Sequence, residues 1–157
     1  LVLVSAKRMI VTRRRSKKCH NRIMTASSDH NLRDIGAYLA QQPGMRLGLV
    51  FGSMACGRAT ASSDLDLAVL ADQPLDSVRR SAIVSDLSQR FGRPVDLVDL
   101  ANAGVPSLRS ALLGGKVVYA ADDDVYPAQI TRMLFDSADF LPYRERILKA
   151  RRDAWLG

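Results

Sequence analysis

The sequence predicts an α/β or α+β domain. In it, a mixed β-sheet of about four strands is flanked by helices and followed by a C-terminal helix. Stretches with apolar residues at helical spacing alternate with short apolar runs, and glycine or proline separates most of them. The 157 residues, 47% apolar and 25% charged, are typical of one globular domain.

The first half of the chain predicts one helix and two strands. Apolar residues at helical spacing predict a helix over 29–42, which a Pro-Gly pair ends. The apolar run over 46–51 predicts a buried strand that stops at Gly52. A second strand is predicted over 64–70, after a loop of small and polar residues.

The next elements continue the alternation. An amphipathic pattern predicts a helix over 75–91, and a strand over 95–100 follows it. A short helix over 106–113 then leads to a strand over 116–120.

The C-terminal part predicts one long helix. Its start is marked by the three consecutive acidic residues at 122–124, since carboxylates are favourable at the positive end of a helix dipole. The helical pattern runs to about Leu156, and we expect a bend or break near Pro142.

Positive charge is concentrated at the start of the chain. Of 23 basic residues, eight lie within 1–23, which contains no acidic residue. The rest of the chain therefore has 15 basic and 16 acidic residues. We predict a basic, disordered extension over 1–23, as a solvated tail or a nucleic-acid arm, and a single domain over 24–157. Met24 is a candidate natural start. The nearly neutral body gives no reason to expect a sequence-specific nucleic-acid partner.

The cysteines and the hydropathy pattern predict a cytoplasmic protein. Cys19 and Cys56 form neither a disulfide framework nor a metal-ligand pair at useful spacing. No apolar run approaches the roughly 20 residues of a membrane span, so no membrane partner is expected.

The most informative segment joins the first two predicted strands. Gly52 and Ser53 follow the first strand directly, where a glycine allows a ligand to approach the backbone closely. The amide groups that come next, with the Ser53 hydroxyl, could hold phosphate oxygens. A Gly-Ser pair after a strand is weak evidence when taken alone.

Two acids on the second predicted strand strengthen this interpretation. Asp64 and Asp66 are two residues apart, so on a strand their side chains project to one side, about 6.5–7 Å apart along the chain. Such a pair alone is most often a solvated turn. Adjacent carboxylates without basic partners favour a hard divalent cation, and Mg²⁺ commonly binds one or two carboxylates together with substrate phosphates.

A third acid is expected from the strand over 95–100, which offers Asp96 and Asp99. The helix before this strand is long enough for a crossover, so the second and third strands should be parallel and begin at the same sheet edge. Asp96 lies early in its strand, whereas Asp99 lies near the far end and faces the other side. We therefore predict Asp96 as the third acid and Asp99 as an exposed or capping residue.

These residues resemble a known signature. Gly52-Ser53, ten intervening residues and Asp64-Leu65-Asp66 are similar to the Gly-Ser-x10-Asp-x-Asp pattern of the DNA polymerase β-type nucleotidyltransferase superfamily. The small size of the chain resembles that of the superfamily's minimal nucleotidyltransferase (MNT) branch. Residues 94–100 are similar to the strand that carries the third acid in that branch. The resemblance covers roughly 30–150, with one departure, because Cys56 stands where many relatives carry an arginine.

The resemblance implies a fold, a chemistry and a partner. It implies a nucleotidyltransferase fold in which Asp64, Asp66 and Asp96 bind one or two Mg²⁺ ions, and Gly52 and Ser53 hold phosphates of ATP. Minimal nucleotidyltransferases are frequently antitoxins that transfer AMP from ATP to a tyrosine of a HEPN-domain ribonuclease toxin. This is the function we expect. Transfer to a small molecule such as an aminoglycoside, and toxin binding without catalysis, are the alternatives.

Overall fold

The computed structural model describes residues 26–57, 60 and 63–156, and its helices and strands alternate along the chain. The predicted extension over 1–23 and the candidate start Met24 lie outside the described residues. The helices are α1 (Ala26–Leu39), α2 (Gly52–Ala55), α3 (Ser77–Phe91), α4 (Val105–Gly114) and α5 (Val125–Leu156). The strands are β1 (Met45–Val50), β2 (Leu65–Ala71), β3 (Val95–Asp99) and β4 (Lys116–Ala120).

The four described strands form one mixed sheet in the order β3-β2-β1-β4. β1 is antiparallel to both β2 and β4, while β2 and β3 are parallel. The parallel pair is joined by α3, as the crossover rule requires. Asp76 accepts a hydrogen bond from the Arg79 backbone N–H at the start of α3, and Gly92 ends the helix with φ of 61°. The predicted mixed sheet of about four strands is confirmed.

Helices cover both faces of this sheet. Side chains of α1 and α3 pack on one face, against alternate residues of β2 such as Leu65, Leu67 and Val69. Side chains of α4 and α5 pack on the other, against Ala68 and residues of β1. The alternation along β2 follows from the two-residue repeat of a strand, which sends successive side chains to opposite faces.

Two predicted helix features differ in the structure. α1 begins no later than Ala26 and ends at Leu39, three residues before the predicted end at 42. The helical turn before residue 29 was not predicted, because the apolar pattern begins only at Leu32. We expected a bend or a break near Pro142; α5 continues through this residue, so a break is wrong, while the bend stays a prediction. A proline removes one backbone donor, and the hydrogen bonds on either side can preserve the helix. No helix among the described residues is long and apolar enough to cross a bilayer.

Asp99 organises the turn that follows β3. It is buried rather than exposed, and its carboxylate accepts hydrogen bonds from the backbone N–H groups of Leu75 and Ala101, at 3.0 and 2.9 Å. The Asn102 side-chain amide donates a third bond at 3.2 Å. The carboxylate thus ties the segment before α3 to the end of β3, which agrees with the predicted capping role.

Replacing Asp99 with alanine should destabilise the fold, because it would leave three part-buried donors without their acceptor. We expect Asp99→Ala to lower the free energy of unfolding by about 3 kcal/mol, measured by urea denaturation. The matched control is Asp76→Ala, which removes a single exposed helix cap and should cost about 1 kcal/mol. Equal losses for the two variants would contradict this account of the Asp99 turn.

Candidate active site

One edge of the sheet gathers the residues that the sequence predicted as a site. β1 ends there at Val50, and the Phe51 backbone N–H donates to the carbonyl of Asp66 at 3.0 Å. β2 and β3 begin at the same edge, with Asp66 directly in register with Asp96. The turn after β1 and the starts of two parallel strands therefore meet at one place.

The three predicted acids belong to one face of the sheet at this edge. Asp66 alternates with Leu65 and Leu67, which pack under α1 and α3, so its side chain belongs to the opposite face. Asp96 shares that face through its register with Asp66, and Asp64 precedes the start of β2 by one residue. Asp64 and Asp96 are exposed, whereas Asp66 is half-buried. The structure thus brings Asp96 to the pair, as predicted, and leaves Asp99 away from it.

The pKa of Asp66 reports the closeness of these charges. Partial burial raises the pKa of the Asp66 carboxyl, and the negative charges of Asp96 and then Asp64 raise it further. Among the described residues, no lysine, arginine or histidine forms an ion pair with any of the three acids. The edge is therefore a cluster of mutually repelling carboxylates, which a bound cation would stabilise.

This donor set fits magnesium bound together with a substrate. Within the part of the chain that the structure describes, no three Asp, Glu, His or Cys side chains lie close enough together to hold a metal ion by themselves. Mg²⁺ does not need such a group, because it typically takes one or two carboxylates and completes its coordination with water and substrate phosphates. Carboxylate oxygens are hard ligands of the kind it prefers. Asp64, Asp66 and Asp96 are the residues that could hold it.

Gly52 is required by the position of Asp66. Its φ is +65°, in the left-handed region that favours glycine. A Cβ atom at this position would also overlap Oδ2 of Asp66. The glycine therefore makes room for the carboxylate of the neighbouring strand, in addition to the room for a ligand that the sequence predicted.

The short helix α2 carries the remaining residues of the predicted phosphate turn. Ser53 is its second residue and is half-buried beside the acids' edge. Cys56 caps the end of α2, and its backbone N–H donates to the Gly52 carbonyl at 3.3 Å. Arg58, two positions after Cys56, lies outside the described residues.

Comparison with known proteins identifies the family. The family model described as Polymerase beta, Nucleotidyltransferase matches residues 33–124, more than half of the chain, and this segment contains Gly52, Ser53 and the three acids. The chain belongs to this nucleotidyltransferase family.

A related protein and two solved structures are similar to this nucleotidyltransferase in sequence or in fold. It is 31% identical to the protein adenylyltransferase MntA of Shewanella oneidensis over 93 residues, which are 58% of this chain and 67% of that protein. Its fold is similar to a toxin–antitoxin crystal structure with AMP-PNP, with a TM-score of 0.69, 22% identity, and 79% and 98% of the two chains covered. A structure of tri-AMPylated Shewanella oneidensis HEPN toxin with MNT antitoxin gives a TM-score of 0.60 at 25% identity, covering 77% and 98%.

Two basic residues at this edge of the nucleotidyltransferase were not predicted from its sequence. Arg93 precedes β3, and its Nη1 donates to the carbonyl of Ser63 at 3.4 Å. Lys116 begins β4 and is in register with Val50 at the end of β1. Neither residue belongs to a local motif. The one sequence signal for Arg93 was its position three residues before Asp96.

Replacing Gly52 with alanine should disturb Asp66, whereas the same change at Gly57 should not. Both glycines have a positive φ, of 65° and 67°, but a Cβ at Gly57 would have no atom within 4 Å. Each variant should lose about 1–2 kcal/mol through backbone strain. Only Gly52→Ala should also lose most of the rise in unfolding temperature that MgCl₂ with AMP-PNP gives the wild type, measured by differential scanning fluorimetry. A normal rise in Gly52→Ala would contradict the steric link to Asp66.

The raised pKa of Asp66 predicts that the carboxylate destabilises the metal-free fold. A carboxyl whose pKa is raised by folding favours the folded state fully below its ordinary pKa of about 3.9, and that contribution is lost as the pH rises through the raised value. Asp66→Asn should therefore be more stable than the wild type at neutral pH in EDTA, and the difference should shrink towards about pH 4.

Urea denaturation across this pH range measures the effect. The control is Asp72→Asn, which makes the same change of charge but removes an ion pair with Arg46 at 3.3 Å. Because that pair is exposed, the control should lose between about 0 and 1 kcal/mol rather than gain stability. A neutral-pH loss of stability in Asp66→Asn would contradict the repulsion among the three acids.

Proposed function

We propose that this protein is a magnesium-dependent adenylyltransferase that acts as an antitoxin, by transferring AMP from ATP to a tyrosine of a partner HEPN ribonuclease toxin. The observation that carries the proposal is the register of Asp66 with Asp96, at the sheet edge next to Gly52. It supports Asp96 as the third acid of a site with Asp64 and Asp66. A three-acid edge beside a phosphate turn is the arrangement that nucleotidyl transfer needs.

The relatives support the choice of nucleotide, acceptor and partner. The related MntA is named a protein adenylyltransferase, and the similar antitoxin structures include one with AMP-PNP and one with an AMPylated HEPN toxin. Transfer to a small molecule has no such support among the relatives described above. The cytoplasmic location that the sequence predicts is consistent with a toxin that degrades RNA, and it stays a prediction.

The residues at this sheet edge would bind different groups, the acids the magnesium and the turn after β1 the phosphates. Asp64, Asp66 and Asp96 would hold the magnesium, which neutralises triphosphate charge and the charge that develops at the α-phosphorus during transfer. Gly52 leaves the backbone open for the β and γ phosphates, and the Ser53 hydroxyl can donate a hydrogen bond to one of them. Each of these groups is on or next to a strand end, so the sheet fixes their relative positions.

The transfer itself is an exchange at phosphorus. The phenol oxygen of the acceptor tyrosine forms a bond to the α-phosphorus as the bond from that phosphorus to the pyrophosphate oxygen breaks. Pyrophosphate leaves with the electron pair of the broken bond. Asp96 is exposed at the edge strand, where an acceptor from another protein can reach it, and its carboxylate can take up the phenol proton.

Removing the acids should abolish transfer without removing the fold. With purified HEPN partner, ATP and MgCl₂, we expect the wild type to add AMP, detected by intact mass as an adduct on the partner. Asp64→Asn, Asp66→Asn and Asp96→Asn should each lower the rate by about 100-fold or more, since each removes a charge that would hold the magnesium and, through it, the reacting phosphates. EDTA should abolish the adduct.

The matched control is Asp123→Asn, an equal change of charge at an exposed residue beyond the opposite end of β4. Its transfer rate should equal that of the wild type. Full labelling by the Asp64→Asn, Asp66→Asn double variant would rule out the proposed mechanism. If the double variant fails to label the toxin yet still protects cells from it, binding alone neutralises the toxin.

A further inference from the structure

Asp64 is the predicted metal ligand that the sheet does not fix. Asp66 and Asp96 lie within β2 and β3, where the parallel ladder sets their positions. Asp64 precedes β2, is exposed, and its carboxylate has no hydrogen-bond partner among the described residues. Its location therefore depends on what holds the segment that leads into the strand.

Two contacts anchor that segment, one on each side of Asp64. The Leu65 backbone N–H donates to the carbonyl of Pro94 at 2.9 Å, and Nη1 of Arg93 donates to the carbonyl of Ser63 at 3.4 Å. Both residues that flank Asp64 are thus tied to the Arg93-Pro94 pair that leads into β3. The same short segment positions Asp96, three residues after Arg93.

The anchor opposes a repulsive force. Asp64, Asp66 and Asp96 carry like charges at one edge of the sheet, so Asp64 experiences repulsion that favours its movement away from the edge. Arg93 is half-buried, forms no ion pair with a described acid, and is not among the groups that shift the Asp66 pKa. Its effect is therefore exerted through the Ser63 carbonyl rather than by neutralising a carboxylate.

A second set of contacts shapes the same segment. The Ser63 backbone N–H donates to the carbonyl of Thr60 at 3.1 Å, and the Thr60 backbone N–H donates to Oγ of Ser63 at 2.9 Å. These bonds join Thr60 to Ser63, which directly precedes Asp64. Among the described contacts of Ser63, only the Arg93 bond connects it to the segment that leads into β3.

We propose that Arg93 is a positioning residue, which holds the Ser63 carbonyl so that Asp64 stays beside Asp66 and Asp96 for metal binding. The inference rests on the magnesium site of the proposed function, but it does not depend on the acceptor. Groups that orient a metal ligand from outside the coordination shell typically change metal affinity by 10–100-fold when they are removed.

The test measures magnesium binding directly. Arg93→Gln, Arg93→Lys and the wild type are titrated with MgCl₂ at a fixed excess of AMP-PNP, and the half-saturating Mg²⁺ concentration is read by isothermal titration calorimetry. We expect it to rise about tenfold in Arg93→Gln. Arg93→Lys retains one donor for the carbonyl and should show a smaller rise. At saturating Mg²⁺, the KM for ATP should stay within about twofold of the wild type.

The matched control is Arg90→Gln, which removes an arginine that packs over the Tyr38 ring at 5.0 Å, away from this segment. Its Mg²⁺ requirement should be that of the wild type. An unchanged requirement in Arg93→Gln would overturn the proposal. So would a loss of unfolding temperature with unchanged Mg²⁺ binding, because that result indicates a purely structural role.

Two further arms separate other outcomes. If Arg93→Gln weakens AMP-PNP binding in EDTA, Arg93 contacts phosphate directly and the positioning role is wrong. If the wild type binds Mg²⁺ in an Arg93-dependent way but transfers no nucleotide to a HEPN partner, the proposed function fails while the inference stands. If Arg93→Gln does not fold, the comparison of Arg93→Lys with the wild type decides the question.

Discussion

The parallel pairing of β2 with β3 is the constraint on which the site depends. It joins Asp66 and Asp96, which are 30 positions apart in the chain, as direct neighbours across a ladder of backbone hydrogen bonds. A shift of register by one residue would turn Asp96 to the opposite face and leave the pair without its third acid. The crossover helix α3 and the Asp99 turn at the far end of β3 hold the two strands in this relation.

The same pairing creates the electrostatic strain of the metal-free protein. Three carboxylates lie at one edge without an ion-pair partner among the described residues, and partial burial together with the charges of Asp96 and Asp64 raises the pKa of Asp66. The surrounding structure accommodates the strain rather than relieving it. Gly52 leaves space for the Asp66 carboxylate, and Arg93 holds the segment before Asp64 by a backbone carbonyl. A cation that binds together with the nucleotide would neutralise these carboxylates, and the loss of their repulsion would strengthen its binding.

Sequence reasoning worked best where the determinant is local. The crossover length predicted that β2 and β3 are parallel, which the structure confirms. Strand polarity then selected Asp96, which lies in register with Asp66, over Asp99. Sequence reasoning was wrong about two helix features, where the local signal was weak or misleading. The first turn of α1 carries no apolar residue larger than Ala26, and α5 passes through Pro142 without a break because one missing donor does not end a helix that is otherwise hydrogen-bonded.

The sequence by itself determined the fold class, the family resemblance and the pairing of Asp64 with Asp66, since these depend on spacing within one element or between neighbouring elements. Only the tertiary structure decided that Asp66 faces Asp96 in register, that its carboxylate excludes any side chain at Gly52, and that Arg93 reaches Ser63. The physical reason is the range of the interactions. Strand periodicity follows from the backbone angles of a few residues, whereas contacts between distant segments depend on how the whole sheet is assembled.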